Sequence, residues 1–282
     1  MSTIVVDLMR ILSLATTEFW LILLGFSLLA FGKLHQNTWY AFSRNYVKMS
    51  TTHRIGDKLT MYLYETHMHT YPASACACNS PEEMVRHYKS KKYTGIIITD
   101  HFFNGNNGAP RDAKWEKKVE FLVGAYERAK KEGKKHDLDV FFGLEYSNSG
   151  SDFLVYGLDE EFLLKNPGFD ELSLADFSAT VRRAGGYLAQ AHPFRVAWWI
   201  TNPEPVHPSL IDGIEVHNSS MDSKANKQAL DFAIKHNLPK QSGTDAHDTI
   251  SRRPSGIALQ KRAKNIFDII NAIKSEQVTL LN

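Results

Sequence analysis

The chain has 282 residues, 43% of them hydrophobic and 23% charged, with a formal net charge of +2. This is the composition of an ordinary folded protein of one large or two modest domains, and the near-balanced charge removes bulk electrostatics as an argument for nucleic acid. Its two cysteines, Cys76 and Cys78, are too close in sequence for an easy mutual disulfide, so no oxidised framework is implied; a reducing compartment or a metal role suits them better.

Residues 1–60 differ from the rest. The stretch 19–31 is apolar apart from Ser27, and extending it back to Ile11 gives roughly the ~20 residues a membrane helix needs, with Glu18 as an obstacle. Lys33, Arg44, Lys48 and Arg54 follow it, whereas Arg10 is balanced by Asp7. An anchor over 11–32 would therefore leave the main domain, 61–282, in the cytoplasm. A secretory signal fits less well, because the start has no basic cluster and no Ala-x-Ala-like site follows. The rival reading is a translation start at Met49 or Met61.

From there the chain alternates between strand and helix patterns. Residues 59–66 read as a strand that delivers His67 and His69. Side chains two apart on a strand share a face, so the two imidazoles converge. The loop 71–79 carries both cysteines. Ser80, Pro81 and Glu83 open a helix to about Lys92 with a capping box. The apolar run 94–99 is a buried strand ending in Asp100 and His101. A Gly/Asn loop, 104–110, precedes an amphipathic, basic helix over 112–133, whose run 130–135 reads as a solvated end.

Strand 138–144 ends in Glu145, and Asp152 opens strand 153–156. Ser173 caps a helix to Arg183, stopped by Gly185 and Gly186; strand 187–191 ends in His192 and Pro193. The tryptophan- and proline-bearing segment 194–208 reads as an irregular lid or rim. Strand 213–216 ends in His217, helix 222–236 follows, and strand 238–244 leads to Asp245 and His247. A strand over 256–260, a helix over 265–274 and a short strand over 278–280 close the chain. The alternation predicts βα units and a parallel sheet, and no dinucleotide-binding or P-loop motif is present.

Polar ligand chemistry recurs at one end of these strands: His67, His69, His101, Glu145, His192, Asp245 and His247. In α/β barrels, groups from several strands meet at that face. Histidine with carboxylate suits divalent zinc, manganese or iron. The set exceeds what one tetrahedral ion needs, so two or three ions bridged by a carboxylate are expected, with metal-assisted hydrolysis as the chemistry. His217 can ligate or orient a ligand. Asp100 reads as a ligand's partner or a loop anchor. His53, His87, His136, His207 and His236 read as bystanders.

The motifs His67-Met-His69, Thr99-Asp100-His101, Gly143-Leu-Glu145, Ala191-His192-Pro193, Glu215-Val-His217-Asn218 and Gly243-Thr-Asp245-Ala-His247 resemble, in order and spacing, those of the PHP (polymerase and histidinol phosphatase) domain, over about residues 61–282. The resemblance implies a distorted (β/α)7 TIM-like barrel, two or three metal ions and phosphoester hydrolysis. It implies one ion at His67, His69, Glu145 and Asp245, a second bridged by Glu145 and held by His192, and a third at His101 and His247. The chain departs from the fuller pattern twice. Cys76 lies in the stretch after the first histidine pair where some members have a His or Asp ligand, and a thiolate there would favour zinc. Asp152 stands near the place of a further histidine.

The expected substrate is a small phosphomonoester, with Glu145, His101, His192 and His247 as the catalytic set. Arg195 is a candidate phosphate clamp, and Arg252 and Arg253 are similar. A nuclease or phosphodiesterase is the alternative, with the basic helix and Trp198 and Trp199 as a stacking surface; no extended basic groove supports it. A non-catalytic metal-binding or membrane-tethered regulatory domain is a third reading, opposed by the near-complete ligand set.

Overall fold

The computed structural model describes residues 60–198, 200, 203–250 and 253–282, all within one unit spanning 57–282. The expected anchor over 11–32, with nearly all of the 1–60 extension, lies outside them, as do Trp199 and Arg252. Among the described residues no helix is long and apolar enough to cross a membrane.

Strands β1 (Tyr62–Glu65), β2 (Gly95–Ile98) and β3 (Asp139–Asn148) run parallel, joined through helices α1 (Pro81–Ser90) and α2 (Trp115–His136). The capping box of α1 forms as the sequence predicts: Ser80 Oγ accepts from the Glu83 N–H, and the Glu83 carboxylate accepts from the Ser80 N–H. Helix α2 starts and ends later than the predicted 112–133. It runs through Gly133 to a cap at Asp137, in left-handed conformation at φ 49°.

The expected all-parallel sheet needs correction. Strand β4 (Ser151–Tyr156) turns back antiparallel on β3, because Ser149 and Gly150 both have positive φ, 52° and 84°. That is what a two-residue hairpin matched to strand twist requires. After helices α3 (Glu160–Lys165) and α4 (Leu174–Arg183), β5 (Tyr187–Gln190) is again antiparallel to β4. Parallel pairing resumes through β6 (Gly213–Asn218), helix α5 (Ser223–His236) and β7 (Lys240–Gly243). Strand β8 (Gly256–Leu259) pairs antiparallel with β1, and β9 (Thr279–Leu281) with β8, after helix α6 (Ile266–Lys274). The order is β7-β6-β5-β4-β3-β2-β1-β8-β9.

The sheet is nearly closed into a distorted barrel, because the segments after β1 and β7 meet. Thr66 Oγ1 donates to Ser242 O at 2.7 Å, the Asp245 N–H to His67 O at 2.8 Å and the His69 N–H to Ala246 O at 2.8 Å. Both faces are covered. On β4, Phe153 and Val155 pack in one core with Leu122 of α2 and Phe177 of α4; the alternating Leu154 and Tyr156 pack in another with Tyr64, Ile97 and Tyr187. The Tyr156 hydroxyl, buried in that second core, donates to Thr66 O at 2.8 Å and accepts from Gln241 Nε2 at 2.9 Å.

Gly256, where β8 begins, has φ 117°, and a Cβ there would lie 2.2 Å from Tyr64 O. Replacing it with alanine forces both backbone strain and a clash against β1. Gly256→Ala is expected to cost about 2 kcal/mol or more, a fall in Tm of roughly 5 °C or more by thermal unfolding.

Candidate metal centre

The ends of β1, β2, β5 and β7, with the interior of β3, deliver the polar set to one place. Glu145 lies inside β3, and His101, just beyond β2, pairs with it through a parallel bridge. Glu145 is 1% exposed, so its charge has to be met by protein groups. Its two oxygens face different imidazoles. Oε1 lies 3.1 Å from His67 Nε2 and 3.2 Å from His192 Nε2; Oε2 lies 2.9 Å from His101 Nδ1 and 3.5 Å from His69 Nε2. Asp245 Oδ1 sits 3.2 Å from His69 Nε2 and 3.5 Å from His67 Nε2.

The seven expected ligands therefore come together. Three groups have donor atoms within 4.8 Å of one another: His67, His69 and Asp245; His67, Glu145 and His192; His69, His101 and His247. Histidine with carboxylate is a donor set for divalent ions. The partners of the far ring nitrogens agree with such a role. His67 Nδ1 is 3.1 Å from Glu215 Oε1 and His69 Nδ1 is 3.1 Å from Ser74 Oγ, while their two Nε2 atoms face each other at 3.3 Å. An imidazole whose Nδ1–H is held by a carboxylate presents a lone pair at Nε2. Two such lone pairs and two carboxylates aimed at one point repel unless a cation or protons lie between them.

Burial alone would lower His67, but Glu215, Asp245 and Glu145 overcome it and hold it well above the ordinary histidine value. His101, His192 and His247 are raised likewise, against burial: Glu145 leads for the first two and Cys76 for the third. His69 goes the other way, down to about 3, through burial and the neighbouring His101. Burial would raise Glu145 and Asp245, but the imidazoles, His67 foremost, hold both well below the carboxylate range.

The remaining sequence candidates occupy the margins. Asp100 is an anchor: it accepts from the Thr70 N–H, from Thr70 Oγ1 at 2.6 Å and from Ser74 Oγ at 2.7 Å. Asp152 accepts from Ser147 Oγ at 2.6 Å, with its other oxygen 3.9 Å from His192 Nε2. His217 lies outside the three groups; its Nδ1 meets Asn226 at 3.4 Å, beyond a register shift in β6. Cys76 is exposed and lies outside the three groups. Burial would raise its thiol, but the neighbouring His101 and His247 bring it down to about 6. Arg195 Nη1 is 3.4 Å from His192 Nε2 and 3.7 Å from Asp245 Oδ2. Trp198 is 92% exposed.

Sequence reasoning gave no role to Glu215, Ser74 or Glu65. Glu215 Oε2 accepts from the His192 N–H and from Asn218 Nδ2, both at 2.9 Å, so this carboxylate orients His67 and His192 together. Its signal was an acidic residue inside the apolar run of β6. Glu65 Oε1 accepts from the Thr66, His67 and Thr244 N–H groups at 2.9–3.0 Å, which ties the ends of β1 and β7. Two candidate ligands have positive φ, Asp245 at 53° and His192 at 24°, the strained backbone that concentrates at functional sites.

No protein-family model and no curated protein sequence matches the chain. Solved structures do. A two-domain protein of Bacteroides vulgatus, named as containing a predicted PHP-like metal-dependent phosphoesterase, superposes with a TM-score of 0.57 at 16% identity, over 81% of this chain and 68% of that one. The fold is the PHP fold. PsfC of Pseudomonas syringae matches with a TM-score of 0.53 at 16% identity, over 73% of this chain and 84% of its own. In this PHP fold the antiparallel β4 lies between β3 and β5, and Glu145 of β3 reaches to within 3.2 Å of His192 after β5.

Because the carboxylates raise the proton affinity of these imidazoles, a cation binding there competes with protons, and affinity must fall as pH drops. Calorimetric titration of the metal-free chain with zinc in buffers of different ionisation enthalpy should show at least about one proton released per ion. Removing the carboxylate that holds His67, in Glu215→Ala, should weaken cation binding by about 10- to 100-fold in the same assay.

Proposed function

We propose that this chain is a metal-dependent phosphoesterase acting on a small phosphomonoester at the cluster centred on Glu145. The observation that carries the reading is the division of that carboxylate, one oxygen toward His67 and His192 and the other toward His101 and His69. A buried carboxylate so divided is built to join neighbouring cations. The PHP fold, and the name of the Bacteroides protein that shares it, support the same reaction class.

Two or three divalent ions, drawn from zinc, manganese and iron, are the cofactors of this reading. His67, His69 and Asp245 would hold one, Glu145 and His192 a second, and His101 and His247 a third. Such ions supply Lewis-acid activation of water and neutralise phosphoryl oxygens. The chain's own groups do the rest. Glu215 and Ser74 fix which imidazole nitrogens face inward. Arg195, with a side chain 31% exposed, stands beside His192 and Asp245, where its planar fork can hold two phosphate oxygens of an entering substrate. The Phe194 N–H bonds Pro203 O at 2.9 Å, and Phe194, Ile200 and Pro203 lie around one small cavity with His192, Arg195 and Asp152.

The purified chain, loaded in turn with zinc, manganese and iron, is expected to bind at least one ion per molecule and to hydrolyse p-nitrophenyl phosphate faster than the bis-ester. Glu145→Gln should lower kcat/KM by at least about 100-fold. Arg195→Lys should act mainly on KM, raising it about 10-fold, because a point charge replaces a two-pronged contact. Less than one ion per chain, or hydrolysis indifferent to Glu145→Gln, would sink the reading. A bis-ester cleaved as fast as the monoester would move the substrate to a phosphodiester.

A further inference from the structure

Large apolar side chains are exposed on the loops that surround the donor cluster. Among the described residues, the three most exposed are Trp198 at 92%, Val196 at 86% and Ile250 at 71%. Val196 and Trp198 follow β5 and Ile250 follows β7, so all three stand at the strand ends that carry the cluster. Tyr71, 54% exposed, joins them after β1. The sequence repeats the pattern: residues 70–79 and 196–203 hold no Asp, Glu, Lys or Arg, in a chain that is 23% charged. Surface loops without charge, tipped with large apolar groups, mark a binding surface and not an ordinary solvated turn.

Short, hydrogen-bonded stretches tie these groups to the cluster. Val196 directly follows Arg195, whose Nη1 lies 3.7 Å from Asp245 Oδ2, and Trp198 stands three residues past that arginine. The Ile200 N–H bonds back to Ala197 O at 2.9 Å. Asn79 accepts from the Tyr71 N–H through its backbone O at 2.8 Å and from the Thr249 N–H through Oδ1 at 3.0 Å, which draws Tyr71 and Ile250 to one edge. Ile250 is three residues past His247, and Tyr71 two past His69. Every one of the four is thus within about 10 Å of chain of a residue at the cluster.

We propose that the substrate is a phosphomonoester of an apolar alcohol, its phosphoryl group at the cluster and its carbon skeleton against Trp198, Val196 and Ile250. The inference rests on the phosphoesterase reading and gives it a substrate class. Hydrolysis adds water across the ester: the P–O bond to the alcohol breaks, the oxygen of water bonds phosphorus, and the alcohol leaves with a proton. Arg195 then serves the phosphate, and the apolar rim serves the leaving group. A polyol phosphate gains little from such a rim, because its hydroxyls would give up water for carbon.

A series of n-alkyl phosphates from ethyl to octyl tests this, because chain length changes while the acidity of the leaving alcohol stays nearly constant. With the metal-loaded full chain, at concentrations where every ester is monomeric, kcat/KM should rise about twofold per added methylene, half the free-energy gain of full burial. Glycerol phosphate should be slower than butyl phosphate by at least about 10-fold. Trp198→Gln should flatten the rise to less than half its slope, and the double variant with Ile250→Gln should nearly abolish it. Ile234→Gln, which changes an exposed apolar residue of α5 instead, should leave the slope unchanged. Alkyl phosphates hydrolysed at rates flat or falling with chain length overturn the inference and leave the phosphoesterase reading intact. A slope that survives both rim substitutions, or that appears only when the esters self-associate or enter vesicles, overturns it too. No ester hydrolysed by the unaltered chain overturns both.

Discussion

An ionised carboxylate with almost no solvent contact is the constraint on which this architecture turns. Transferring such a charge out of water costs several kcal/mol even after relaxation, and only close, well-aimed partners offset it. Glu145 meets the demand with four imidazoles, drawn from three different pieces of backbone. His67 and His69 need the end of β1, His101 the end of β2, and His192 the end of β5. Strands that would otherwise be free to splay are held at the spacing of one side chain.

A second tier of polar groups makes that spacing exact. Glu215 fixes two imidazoles at once, one through its ring and one through its backbone N–H. Glu65, fully buried, is pushed up to about 7 by burial, against the lowering effect of the His67 and Thr244 N–H groups it accepts from. Its place is structural: it joins the residues that carry His67 and Asp245. Asp100 does the same for the loop after His69, through Thr70 and Ser74. Backbone forced to positive φ at His192 and Asp245 is tolerated because hydrogen bonds to Glu215 and His67 hold both residues in place.

Much of this was legible in the sequence, for identifiable reasons. Ligand pairs such as His67 and His69 follow directly from strand alternation, and helix starts such as Ser80 to Glu83 follow from capping chemistry. The orienting residues were not legible, because Glu215 and Ser74 act through partners far away in sequence. The antiparallel β4 was missed although its turn was present in Ser149 and Gly150; the apolar strands around it gave no direction. Helix α3, six residues long, is too short for a 3.6-residue period to declare itself. The end of α2 was misplaced because Gly133 looks like a stop, whereas packing carries the helix on to Asp137.

The junction of β1 with β7 also has a meaning in time. His67 and His69 are among the first residues of the domain to be synthesised; Asp245 and His247, which join them through the bonds to His67 O and Ala246 O, are among the last. A nascent chain therefore displays an imidazole pair long before it owns the carboxylate and backbone that turn the pair into a centre. Capture of an ion at full strength waits on completion of the chain. A prematurely ended product keeps its histidines but never acquires the pocket, so possession of metal becomes a mark of a finished molecule.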